Sequence, residues 1–378
     1  MTRARLLILS FSHIAADARV LKQVRHFAET YDVTTCGYGP SPHPGVAHIT
    51  LDDDAGFRCW RRRDLVLRRF PLLSHQQPAV RQARERLTAL DRFDVVLAND
   101  IDTVGLALGL GPRYGVHADI HEYAPRQNEE QLVFRVFEAP YVRWMCRRFL
   151  TRAASMTTVG QGIADEYHRV FGLSAEVVTN AAPYADLTPR EIGDTIRLVH
   201  SGASLRNRRL EVLVDAVKAT RSDVTLDMYL MGNDPEYVAL LRDRASSSDR
   251  IAFREPVPYA QLITRLNEYD VGVHVVAPTN FNNRWALPNK FFDYLQARLG
   301  IIIGPSAEME RILVENRLGA VAEGFDAESL TRALDALQAE RVAEWKLHSD
   351  AAARPLSAER QVDIWSRAVA KLVDSAPR

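Results

Sequence analysis

The segment Ala286-Leu-Pro-Asn-Lys-Phe-Phe-Asp-Tyr-Leu sets a cation and a carboxylate beside what reads as a helix start. Pro288 suits the first helical turn, because the N–H it lacks has no partner there anyway. The N–H groups of Asn289, Lys290 and Phe291 would point out of that turn, where the helix dipole favours an anion. Lys290 adds a full positive charge, and Asp293, one turn in, can accept hydrogen bonds from paired ribose hydroxyls. Such a group would cradle a diphosphate. The same residues also describe an ordinary capped helix, with Phe292, Leu295 and Leu299 at core spacing.

Two further clusters carry chemistry. In Ser201-Gly-Ala-Ser-Leu-Arg-Asn-Arg-Arg-Leu-Glu, the small residues around Gly202 allow a phosphate to approach the backbone. Arg206, Arg208 and Arg209 offer planar donors for its oxygens, although three arginines on a loop also make a simple solvated turn. In Asp119-Ile-His-Glu-Tyr, His121 and Glu122 stand where a strand would end. They suit a substrate hydroxyl, or structural pairing with each other.

The elements that must position these residues alternate short apolar runs with amphipathic stretches, the pattern of parallel α/β sheets. Strands are expected at Arg5–Phe11, Val33–Gly37, Asp94–Asn99, His117–Ile120, Met156–Val159 and Val177–Asn180. A helix is expected at Asp17–Glu29 and a long amphipathic segment at Glu129–Ala153. The polar stretch Leu187–Asp194 reads as a boundary, after which a second series begins with strand Ile196–His200 and helix Leu210–Thr220. It continues through strands Thr225–Met231, Ile251–Phe253, Val271–Val276, Ile301–Gly304 and Ala320–Ala322. Helices separate them, Pro288–Arg298 among these, and Ala327–Gln338 closes the series. The expectation is an α/β protein of two Rossmann-like, doubly wound domains, residues 1–187 and 188–355, with a C-terminal helix over 356–378. Ligands are expected at the carboxyl ends of the strands.

Composition narrows the classes. The chain has 378 residues with 48 basic and 48 acidic side chains, a balance that argues against a dedicated nucleic-acid binder. Cys36, Cys59 and Cys146 have no paired spacing and read as reduced thiols of an intracellular protein rather than a disulfide framework or a metal site. Met1–Ser10 reads as a buried first strand rather than a signal peptide. No window approaches the roughly 18–20 apolar residues of a membrane span. A cytoplasmic protein is expected, soluble or peripheral at the inner membrane face. Phe57–Phe70, with six arginines among Trp60, Leu65, Leu67 and two phenylalanines, suits either a lipid surface or a surface loop.

Taken together, the segments resemble family 4 of the retaining glycosyltransferases, of GT-B fold, from Asp17-Ala-Arg-Val-Leu-Lys-Gln to helix Ala327–Gln338. Leu287-Pro-Asn-Lys-Phe-Phe-Asp-Tyr-Leu-Gln-Ala is similar to the donor-site helix of one subgroup. Asp100, ending Val95-Val-Leu-Ala-Asn-Asp, together with Asp119-Ile-His-Glu and Asn180-Ala-Ala-Pro, resembles that subgroup's first domain. The resemblance implies two domains facing an interdomain cleft. It implies a nucleotide diphosphate sugar bound by Gly202, Arg208, Asn289, Lys290 and Asp293, with no further cofactor and no metal. Arg208 and Lys290 would stabilise the departing diphosphate, Asp293 would hold the ribose, and His121 would face the donor sugar and the acceptor. Asp100 and Glu122 would serve the acceptor or sugar. The acceptor would be a hydroxyl compound, lipid-linked ones included, in cell-surface polysaccharide or glycolipid synthesis.

Three departures stand out. Ala203 occupies a place where the family often has arginine. Trp285 stands where the first of two glutamates is usual, with Asn282 or Asn283 available as replacement. Ser12-His-Ile-Ala-Ala replaces a glycine-rich loop. A nucleotide-sugar epimerase or a nucleotide-binding scaffold without turnover are the alternatives on the same fold.

Overall fold

Arg5–His13 (β1) carries six consecutive buried residues, the pattern of a strand covered on both faces. Its partners repeat it, and the computed structural model, which describes residues 3–59 and 61–374, resolves two parallel sheets. β1 is joined by Asp32–Tyr38 (β2), Ala47–Leu51 (β3), Val95–Asn99 (β4), Gly115–Ile120 (β5), Ser155–Thr158 (β6) and Glu176–Val177 (β7). Their order is β3-β2-β1-β4-β5-β6-β7. The second sheet comprises Ile196–Ala203 (β8), Val224–Met231 (β9), Ile251–Arg254 (β10), Val271–His274 (β11), Gly300–Ile303 (β12) and Gly319–Val321 (β13), in the order β10-β9-β8-β11-β12-β13. In both, the order reverses beside the first strand, between β1 and β4 and between β8 and β11. Such switch points open a crevice at the carboxyl ends.

The chain forms two compact units. The first runs to Thr179 and takes in Asn280–Asn282 and the chain from Val362; the second comprises Asn180–Thr279 and Asn283–Gln361. In the first, Leu6, Ile8, Val95 and Leu97 pack against Val20, Val24 and Phe27 of helix Ala18–Phe27 and against Trp365 of helix Ala358–Asp374. In the second, β12 shows why its strands read as unbroken apolar runs. Ile302 enters one core layer and Ile301 and Ile303 the other.

Several elements differ from the sequence reading. β3 and helix Pro78–Thr88 lie between Gly37 and Asp94, where the sequence reading placed no element. The long segment expected at Glu129–Ala153 is broken into a π-helical turn (Phe134–Glu138), helix Ala139–Arg148 and a 3-10 turn (Leu150–Arg152). Pro140 opens the helix, since its ring cannot sit further inside one. Trp60 of the basic stretch lies outside the described residues. No helix among the described residues is long and apolar enough to cross a membrane.

Candidate functional site

The second unit's site begins with a close fit between strand and helix. Gly272, on β11, leaves room for the ring of Tyr294: a Cβ there would lie 2.3 Å from it. The Tyr294 hydroxyl in turn accepts a hydrogen bond from the Ser201 N–H at 3.3 Å. Helix Asn289–Gln296 is thereby laid across β8 and β11 with its first residues at their carboxyl ends. Gly202 holds φ +141° at the end of β8, and a Cβ on it would sit 2.7 Å from Lys290 Nζ. Gly202 and Lys290, 88 positions apart in the sequence, are thus brought into direct contact.

Pro288 is the residue before the helix, in extended conformation, rather than its first turn. Its carbonyl accepts the Phe291 N–H at 3.0 Å, so that donor, expected to be free, is engaged. The three arginines separate clearly. Arg206 pairs with Asp234 at 2.9 Å and Arg209 with Glu211 at 3.7 Å. Arg208 makes no ion pair among the described residues and lines a cavity of about 140 Å³ with Asn207, His274, Asn283, Pro288 and Ser306. It ends a 3-10 turn, Arg206–Arg208, and left-handed Arg209 separates that turn from helix Glu211–Ala219. Arg208 therefore stands before that helix.

Burial and neighbouring charges set the electrostatics of this cluster. Burial and the nearby Arg208 bring Lys290 down to about 8, against a weaker opposing pull from Asp293. Asp293 is 4 % exposed, and burial raises it to about 7 although Tyr259 donates to its Oδ1 at 3.2 Å. His200 donates from Nδ1 to the Val273 carbonyl at 2.9 Å, which makes Nε2 an acceptor, and that atom is buried without a partner among the described residues. His274 Nδ1 and Ser306 Oγ are likewise buried and unpartnered. Burial, then the Lys290 charge, depresses both histidines, His200 to about 3, so both rings are neutral. Unpartnered buried polar groups are uncommon, and two of the three belong to residues lining this cavity, His274 and Ser306. Asn289 is exposed, and Asn283 donates to Thr279 Oγ1 at 2.7 Å.

The first unit's site centres on Asp119, fully buried at β5. It accepts both arms of Arg19 at 2.8 and 2.7 Å, Gln23 Nε2 at 2.7 Å and Thr157 Oγ1 at 2.6 Å. Burial opposes its charge, but Arg19 and His121 overcome that and hold the carboxyl well below its ordinary range. His121 stands between Asp100 and Asp119, with Nδ1 and Nε2 each 3.4 Å from a carboxylate oxygen. Burial disfavours its cation, yet the two carboxylates raise it above its usual value. Asp100 holds φ +63° at the end of β4, a strained conformation of the kind concentrated at functional sites, and accepts the His121 N–H at 3.1 Å.

Asp100 and Glu122 line a second cavity, of about 120 Å³, with Ser10, Ser12, Arg58 and Asp102. Burial, and then Asp100, raises the Glu122 carboxyl. Asn282, which belongs to this unit, spends its amide on the Tyr123 backbone, accepting at 2.8 Å and donating at 3.3 Å. Residues the sequence reading did not single out are Arg19, Gln23, Arg58, Tyr259, His274 and Ser306. Arg19 and Gln23 had a signal: polar residues four apart within the same buried helix face as Val20 and Val24.

These two units have the GT-B fold of glycosyltransferases. Sucrose-phosphate synthase from Thermosynechococcus elongatus is 13% identical, covering 99% of this chain and 100% of its own, at a TM-score of 0.72. HepE from Anabaena, solved with UDP and glucose, is 12% identical over 97% of this chain and 100% of its own, at 0.69. The lipopolysaccharide outer core galactosyltransferase WaaB is 11% identical over 97% and 99%, at 0.67. No protein-family model matches the chain, and no curated protein is similar to it in sequence.

Proposed function

We propose that the chain is a retaining glycosyltransferase of family 4, moving a sugar from a nucleotide diphosphate sugar to a hydroxyl acceptor, without a metal. The observation that carries this reading is the Lys290 amine against Gly202 at the β8/β11 switch point, with Arg208 beside it. Phosphate oxygens reach both cations there, and Gly202 keeps side-chain bulk out of their way. HepE, of the same fold, was solved with UDP and glucose, which supports a sugar nucleotide as donor.

In this reaction the bond between the anomeric carbon and the diphosphate oxygen breaks, and the acceptor oxygen forms a new bond to that carbon on the same face. The acceptor's proton passes to the departing phosphate. Lys290 and Arg208 neutralise charge as it develops on the leaving group, which is where preorganised donors lower a barrier most. Asp293 takes the ribose hydroxyls. His121, between two carboxylates, favours its cationic form and so serves as a hydrogen-bond donor rather than as the base. Asp100 and Glu122 orient the acceptor hydroxyl. Cell-surface polysaccharide or glycolipid assembly is the proposed setting, on the cytoplasmic side.

A thermal-shift screen against UDP, GDP, ADP, CMP and their sugar conjugates tests the donor site. A ligand at a hundred times its dissociation constant adds roughly 2–3 kcal/mol of stability. One nucleotide is expected to stabilise the protein and to fail with Asp293→Ala. With that donor and a set of acceptors, the product's anomeric configuration reads retention. No shift with any nucleotide overturns the donor assignment. Conversion of the donor without acceptor identifies an epimerase, and binding without transfer or hydrolysis identifies a scaffold.

A further inference from the structure

Away from both cavities, the first unit carries an exposed face that is apolar and cationic together. Helix Arg62–Val66 packs on the π-helical turn Phe134–Glu138. Around this junction Val66, Leu67, Leu132, Val133 and Val136 are 48–64 % exposed. Single exposed aliphatics are ordinary, but a group of them marks an interaction surface. Arg61, Arg62, Arg68 and Arg135 are exposed on or beside these elements, and Arg143 and Arg147 on the following helix, Ala139–Arg148; none has an ion-pair partner among the described residues.

The acid of the basic stretch is turned inward. Asp64, the one carboxylate of Phe57–Phe70, is fully buried, with Arg69 and Arg63 at 3.5 and 3.8 Å. The outer side of that stretch is therefore cationic throughout, on a chain whose total charge is zero. At the end of that stretch Arg68, Phe70, Pro140, Arg143, Trp144 and Arg147 line a cavity of about 390 Å³. Its aromatic wall is rigid, with Trp144 stacked on Tyr141 at 5.9 Å and tilted on Phe70 at 6.0 Å.

We propose that this face seats the protein on an anionic phospholipid bilayer. The guanidinium groups meet lipid phosphates, with Arg68, Arg143 and Arg147 around a headgroup, and the aliphatic side chains enter the boundary between headgroups and acyl chains. A protein partner would have to present acidic groups to every arginine and an apolar hollow to the aliphatics, whereas an anionic bilayer supplies both along its whole surface. The inference stands independently of the transferase reading.

Flotation of the full chain with phosphatidylcholine vesicles, with and without about one third phosphatidylglycerol, tests it. The protein is expected to float with the anionic vesicles alone, and less at high salt, as screening shortens the reach of the charges. Arg143→Glu with Arg147→Glu should weaken binding roughly tenfold or more. Leu132→Ser, Val133→Ser and Val136→Ser together should weaken it with the charge intact. The two variants remove charge and apolar contact separately, so if one loses its thermal transition the other still decides. Absence of flotation with anionic vesicles overturns the proposal, as does equal binding by the charge-reversed protein. Self-association of the wild type that the serine variant abolishes would make the face a protein interface and overturn it too.

Discussion

The Lys290 amine occupies the space a side chain on Gly202 would need, 2.7 Å from the position of its Cβ. Gly202 also holds φ +141°, which L side chains rarely adopt. Gly202→Ala should therefore displace the amine and strain the end of β8. We expect nucleotide-induced thermal stabilisation to disappear, with about 1–3 kcal/mol lost from the fold itself in urea denaturation. Full nucleotide binding by this variant would remove Lys290 from the phosphate site.

The separation of three neighbouring arginines gives an internally controlled test. Arg208→Ala and Lys290→Ala should each reduce turnover about a hundredfold or more. Arg206→Ala and Arg209→Ala, whose guanidinium groups face Asp234 and Glu211, should leave turnover within about twofold, because exposed ion pairs contribute little. Initial rates at saturating donor compare the four. Equal losses would mean that the loop acts as a diffuse cationic patch.

Lys290, lowered to about 8 by burial and by Arg208, makes nucleotide binding sensitive to pH. The diphosphate binds the protonated amine and raises its value, so binding takes up a proton near pH 8. Affinity should then fall as pH rises above 8, by up to about tenfold per unit. Calorimetry in buffers of different ionisation enthalpy counts the proton. A Lys290→Met variant should lose the uptake.

Asp293 should cost the fold stability. Its carboxyl is raised to about 7 by burial, so the folded protein keeps a proton that the unfolded chain releases near pH 4. Stability is lost as pH rises across that window and stays lost above it. Asp293→Asn, which keeps an acceptor for Tyr259, should add about 2–4 kcal/mol at pH 8 and much less at pH 5, while weakening nucleotide binding. Melting at the two pH values checks the sign.

The second unit was more legible in the sequence than the first because its strands are apolar runs bounded by clear turns, as at Gly300–Ile303. In the first, β3 is a partly exposed edge strand with the sequence Ala-His-Ile-Thr-Leu, whose alternation is too weak to separate from a loop. Helix Pro78–Thr88 buries only Ala79, Val80, Ala83 and Leu87, and its arginines mask that stripe. At the site, Lys290, Arg208 and Gly202 were legible because each follows a turn or helix signal. His274 and Ser306 were not, since a histidine ending an apolar strand and a serine before a helix look structural. Their chemistry appears only when β11 and the Ser306 turn line one cavity.

The bare Cα of Gly272 has a consequence for anyone mapping this protein by random mutagenesis. The Tyr294 ring rests where a methyl group would be, so even alanine at position 272 should tilt helix Asn289–Gln296 and carry Lys290 out of aim. Such a variant keeps every charged and polar group of the cradle and should still score as inactive. A screen for loss of activity would rank this buried glycine with the cations proposed to hold the diphosphate, although it functions as a spacer, and only rescue by a smaller residue at position 294 would tell the two apart.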